Sequence, residues 1–199
     1  MDNSTDLNSL RGLSVFLLGM MGSGKSTLGE LLSRRLQYRF FDTDILIERV
    51  AGKKIKEIFA DEGEATFREL ETQVLAELSS LTKTVIATGG GMVLKPINWS
   101  YLRHGLMIWL DVPLEVLVKR LKQDTSRPLL ESTDLESKLE LLLEQRRGLY
   151  AEADLRIVVS DLDTPADIVE KILTAIPTVI KDVALLGLVG KMYSKIHSS

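Results

Sequence analysis

The chain has 199 residues, 45% of them hydrophobic, with 28 acidic against 25 basic residues, a formal net charge of −3 and no cysteine. That length suits one domain with a sizeable core, and the charge gives no basic footprint for nucleic acid. Disulfides, thiol nucleophiles and Cys-ligated zinc are excluded. The polar, acidic start lacks the basic and apolar regions of an export signal, and no apolar run approaches 18 residues, so a cytoplasmic chain without a membrane span is expected.

Residues 1–11 read as a flexible lead. Leu13 to Leu18 is an apolar run of buried-strand type, and Thr27 to Leu36 has helical spacing. Between them lies Gly19-Met20-Met21-Gly22-Ser23-Gly24-Lys25-Ser26, which fits the phosphate-loop pattern G-x-x-x-x-G-K-[ST]. Glycines at 19, 22 and 24 allow backbone N–H groups to turn inward around an anion, and the helix adds its positive end. Gly22, Ser23, Gly24, Lys25, Ser26 and Thr27 are the candidate nucleotide-binding residues. Lys25 would reach the β- and γ-phosphates, and the Ser26 hydroxyl would join the shell of a magnesium ion. Met20 and Met21 are expected to pack.

Arg39 to Phe41 is a short second strand that delivers Asp42-Thr43-Asp44 at its carboxyl end, the edge where parallel sheets bind ligands. Helices over Ile45 to Ala51, Ile55 to Ala60 and about Glu64 to Ser80 follow. They are too much chain for a simple crossover, and predict a subdomain over about 44–80 for a second substrate. Thr84 to Ala87 is a third strand, ending in Thr88-Gly89-Gly90-Gly91. Asn98 to Arg103 is a short helix, Leu106 to Leu110 a fourth strand before Asp111-Val112-Pro113, and Leu114 to Lys122 a helix. Residues 123–134 are polar, contain Arg127-Pro128 and read as a mobile lid. Leu135 to Glu152 is a long helix, Leu155 to Val159 a fifth strand, and Pro165 to Ala175 a helix capped by Thr164. The alternation implies a three-layer α/β fold, a five-stranded parallel sheet with helices on both faces joined by right-handed crossovers. The apolar residues of 177–199 follow helical spacing, against which Gly187 and Gly190 work, and the role of that tail stays open.

A signalling GTPase would carry Asn-Lys-x-Asp and Asp-x-x-Gly, and neither occurs. An acceptor subdomain, an arginine-bearing lid and a carboxylate near the acceptor hydroxyl instead suit a small-molecule kinase. Over about residues 12–176 the chain resembles shikimate kinase, through the phosphate loop, Asp42-Thr43-Asp44, Phe67-Arg68-Glu69-Leu70-Glu71, Gly89-Gly90-Gly91, Arg127-Pro128-Leu129-Leu130, and Arg146 with Tyr150. The resemblance implies a P-loop kinase fold, ATP with Mg2+, and shikimate as acceptor of a γ-phosphoryl group at its 3-hydroxyl. It also implies the roles. Lys25, Asp44 and Arg127 would be catalytic, Asp42 and Ser26 would serve the metal, and Arg120 would cover adenine. Arg68, Arg146, Asp44, Gly89, Gly90 and Gly91 would hold the acceptor. Arg68 and Arg146 suit its carboxylate because a guanidinium donates two parallel N–H bonds, and Glu71, three positions after Arg68, can orient it. Phe59 and Phe67 fit either the acceptor pocket or the helical core. A monomer acting on small molecules, with no nucleic acid and no membrane, is expected. A kinase of another polyol acid such as gluconate, or a kinase-like binding protein without turnover, remains open.

Overall fold

The computed structural model of the chain describes residues 10–122 and 135–196, with residues 181–196 as backbone alone. Its five strands are β1 Val15–Leu18, β2 Arg39–Asp42, β3 Thr84–Ala87, β4 Leu106–Asp111 and β5 Leu155–Val158. They form one parallel sheet in the order β2-β3-β1-β4-β5. Central strands of such a sheet are covered on both faces and are therefore apolar throughout; β1, β3 and β4 are buried at every position. At their amino ends a polar contact inside the layer satisfies itself, Thr84 Oγ1 donating to Ser14 Oγ at 2.7 Å and Ser14 Oγ to the Leu81 carbonyl at 2.9 Å.

Helices cover both faces of this α/β sheet. Helix α1 (Lys25–Leu36) follows β1 and packs against the last helix, α8 (Pro165–Ile196). The β2–β3 connection carries α2 (Thr43–Ala51), α3 (Ile55–Asp61) and α4 (Gly63–Ser79). Gly52, with φ 66°, ends α2 in the left-handed conformation that glycine adopts at least cost. Helix α5 (Pro96–Leu102) lies against α4, and α6 (Leu114–Lys122) against α7 (Leu135–Tyr150). Segment 123–134, with its expected lid and Arg127, lies outside the described residues.

Two differences from the sequence reading have physical causes. β1 starts at Val15 rather than Leu13, because Gly12 adopts φ 86° and leaves Leu13 40% exposed. Helix α8 does not stop at Ala175 but continues through Pro177 to Ile196. Proline lacks one N–H donor, yet Ile172 and Ile176 are buried, and Val179 and Ile180 pack on the core, so tertiary burial outweighs the local preference. Its start is as expected: the Asp167 N–H donates to Thr164 Oγ1 at 3.2 Å, and the Thr164 N–H to Asp167 Oδ2 at 2.9 Å, a reciprocal cap.

Candidate active site

The carboxyl ends of β1, β2 and β3 meet at one edge, each followed by a motif. After β1, Gly19, Gly22 and Gly24 all take positive φ, 141°, 76° and 91°. At Gly19 a side chain would also meet the Leu110 carbonyl at 2.8 Å, so the loop is built for glycine by both conformation and space. Helix α1 starts at Lys25 and so aims its positive end at the loop. The Lys25 ammonium is buried against that loop, donating to the Gly19 and Met20 carbonyls at 2.9 and 2.8 Å and to Ser23 Oγ at 3.3 Å. Met20 is packed in the core, as expected.

Asp42, last residue of β2, divides its carboxylate. Oδ1 accepts from the Asp44 and Ile45 N–H groups at 3.0 and 3.4 Å and caps α2, while Oδ2 accepts from Ser26 Oγ at 2.5 Å. Capping and the phosphate loop are therefore served together, and a hydroxyl beside a carboxylate is the hard-oxygen donor set that suits magnesium. Among the described residues no group of three or more His, Cys, Asp or Glu side chains is placed to hold a metal ion.

Gly89-Gly90-Gly91, after β3, is where the residues expected to hold the acceptor converge. None of the three has a positive φ; what they supply is room. A Cβ on Gly89 would stand 2.6 Å from Glu71 Oε1 and 2.9 Å from Asp44 Oδ1, one on Gly91 would collide with the Arg68 guanidinium, and one on Gly90 would lie 3.6 Å from Arg146 Nη1. Arg68, Glu71, Asp44 and Arg146 thus line one space. The Gly89 N–H donates to Thr43 Oγ1 at 2.9 Å, which ties the start of the run to the first turn of α2. Arg68 Nη1 donates to Glu71 Oε2 at 2.5 Å, and its Nε and Nη2 donate to Glu64 Oε1 at 3.1 and 2.9 Å. Arg146 Nη1 and the Tyr150 hydroxyl both donate to the Gly90 carbonyl, at 3.2 and 2.6 Å. Burial pushes the Tyr150 phenol up to about 12, so it stays a donor. Among the described residues, two buried side-chain atoms have no hydrogen-bond partner, Glu71 Oε1 and Arg146 Nε. Burial also pushes the Glu71 carboxyl above its ordinary range, against the pull of Arg68 and with Asp44 adding to the rise. Phe67 is buried and Phe59 is 39% exposed; their rings lie 4.6 Å apart, with the Arg68 guanidinium 5.2 Å from the Phe67 ring.

Arg120 stands on the other side of the loop, its Nη1 donating to the Gly22 and Ser23 carbonyls at 3.3 and 3.4 Å. With Gly22, Gly24, Thr27, Asp163 and Pro165 it lines a cavity of about 250 Å³. Sequence reasoning missed Asp163, Pro165 and Ile168 there. Their signal was position: they follow the carboxyl end of β5, on the ligand edge of the sheet. Asp111, at the end of β4, is instead held by Arg156, whose Nε and Nη2 donate to its Oδ2 at 2.9 and 2.5 Å.

The chain is similar to proteins of one family. The chain is 96% identical over 182 residues to a shikimate kinase of Microcystis aeruginosa (strain NIES-843), covering 92% of this chain and 96% of that one. It is 60% identical over 172 residues to a shikimate kinase of Rippkaea orientalis, covering 86% and 92%. The solved structure of a shikimate kinase from Acinetobacter baumannii in complex with shikimate superposes with a TM-score of 0.81 at 38% identity, covering 87% of this chain and 97% of that one. With the model of the shikimate kinase family matching residues 21–177, the chain belongs to that family.

Proposed function

We propose that this chain transfers the γ-phosphoryl group of ATP to the 3-hydroxyl of shikimate, giving shikimate 3-phosphate and ADP. The observation that carries the reading is the convergence of Arg68 and Arg146 on the triple glycine, with Arg146 Nε buried and unpaired. A buried N–H without an acceptor costs free energy that an incoming carboxylate recovers. Around it Asp44 and Glu71 offer acceptors for ring hydroxyls. A ring with one carboxylate and several hydroxyls matches cations and acceptors set so close together.

In the reaction the phosphate loop and the end of α1 hold the ATP phosphates, and Lys25 leaves its loop carbonyls to meet the β- and γ-oxygens. Ser26 and Asp42 would hold Mg2+, directly or through water, and bound there the ion would neutralise phosphate charge. Asp44 orients the acceptor hydroxyl and takes its proton as the oxygen attacks phosphorus. Arg127 would meet the equatorial oxygens of the transferring group. Arg120 and Pro165 would flank the base in the cavity beside the loop. We further propose a cytoplasmic monomer: no helix among the described residues is long and apolar enough to cross a membrane, and the charge is mildly acidic.

A coupled ADP-release assay with shikimate, quinate and gluconate tests this. Shikimate should be turned over with the highest kcat/KM, and Arg146→Ala should raise its KM by roughly ten- to a hundredfold, while Asp44→Asn should lower kcat by roughly 10² to 10⁴. Preference for gluconate, or ADP release indifferent to acceptor, would overturn the reading.

A further inference from the structure

The acceptor end of the site contains a carboxylate to which no role in phosphoryl transfer falls. Glu64, in the first turn of α4, is largely exposed, yet its Oε1 accepts from both Nε and Nη2 of Arg68, at 3.1 and 2.9 Å. Nε and Nη2 are the two donors of one side of a guanidinium, the side from which arginine grips a carboxylate with paired N–H bonds. The opposite side, Nη1, is anchored on the buried Glu71. Arg68 is therefore fixed from within by one carboxylate and occupied from without by another. The two differ in what holds them. Glu71 is 1% exposed and cannot leave without stranding a charge, whereas the Glu64 side chain is 64% exposed and loses little on swinging into water.

We propose that Glu64 stands in for the acceptor carboxylate: in the free chain it occupies the paired-donor side of Arg68, and it is displaced when the acceptor binds. The proposal rests on the reading of Arg68 as a carboxylate clamp. Two consequences separate it from a merely structural pair. The guanidinium is kept in its bound orientation and never sits unpaired in a half-buried pocket, and acceptor affinity is set below what the arginines alone would give, because an anion must be exchanged for an anion. An exposed ion pair at this spacing is weak, so the competition is modest, about two- to fivefold in affinity.

The test measures shikimate binding by isothermal titration calorimetry, without nucleotide, to the full chain and to Glu64→Gln, with Glu69→Gln as control. Glu69 lies on the same helix and, among the described residues, has no ion pair with Arg68. Glu64→Gln should tighten shikimate binding about two- to fivefold and leave binding of shikimate amide, which lacks the carboxylate, unchanged. Glu69→Gln should change neither. Weaker or unaltered shikimate binding in Glu64→Gln would overturn the proposal, making Glu64 a support for Arg68 or a bystander. An equal gain for the amide, or an equal gain in Glu69→Gln, would overturn it too, since loss of negative charge alone would then suffice. If the parent chain binds no shikimate, the functional reading itself fails, and this outcome is distinct from the others.

Discussion

Glu71 is 1% exposed, carries one unpaired oxygen and stands beside Asp44, so its proton is held above the ordinary carboxylate value of 4.5 by burial first and by Asp44 second. A raised folded pKa means that its contribution to stability is fully present below the unfolded value and is lost as pH rises through the folded one. Glu71→Gln keeps the shape and cannot ionise. Its melting temperature should therefore fall less than the parent's as pH rises above 4.5, while its acceptor KM rises because the inner anchor of Arg68 loses its charge. Scanning fluorimetry across that range checks the first part; parallel curves would refute it. Tyr150 makes a second residue-scale case. With a phenol pushed up to about 12 it donates to the Gly90 carbonyl at every working pH, and because Arg146 Nη1 still serves that carbonyl, Tyr150→Phe should destabilise the fold by about 0.5 to 1.5 kcal/mol and raise acceptor KM more than it lowers kcat. Urea denaturation and steady-state kinetics would read the two effects.

Among the elements, the β3–α5 connection shows what a glycine run is for when no left-handed backbone is involved. Gly91→Ala would drive a methyl group into the Arg68 guanidinium, whereas at Gly90 the nearest atoms stand 3.4 Å or more away. Gly91→Ala should consequently raise shikimate KM by tenfold or more, on the order of one lost charge-assisted contact, with Gly90→Ala much milder. Equal effects would mean that backbone freedom, not room, is what the run provides. From sequence the run itself was legible, but which side chains fill the space beside it was not, because Arg68, Glu71, Asp44 and Arg146 come from three separate helices and meet only once the sheet is ordered. Element identity was easier to read. β3 and α6 fall where the sequence places them because Gly89 and Pro113 punctuate them, and the phosphate loop is dictated by local rules alone. The strand order, the cavity partners Asp163 and Pro165, and the course of α8 past Pro177 depend on contacts between distant segments, to which periodicity is blind. Glu64 marked only the start of a helix in the sequence, and the guanidinium geometry alone distinguishes it.

For the molecule as a whole, the described packing of α8 reaches Ile180, and the family match ends at residue 177. A chain ending at Lys181 should thus keep its fold and its turnover, measured by thermal melting and ADP release; loss of either would assign the remaining residues a structural task. The strand order also has a consequence for how the chain is made. β1 leaves the ribosome first among the strands, yet its two neighbours are β3 and β4, more than sixty residues downstream. A nascent chain that has emerged through β3 but not β4 can assemble β2-β3-β1, while the far edge of Val15–Leu18 stays bare, with its N–H and C=O groups unpaired and its side chains apolar. Until Leu106–Asp111 arrives to close it, synthesis passes through an interval in which the strand that bears the phosphate loop is the one most open to pairing with the wrong chain.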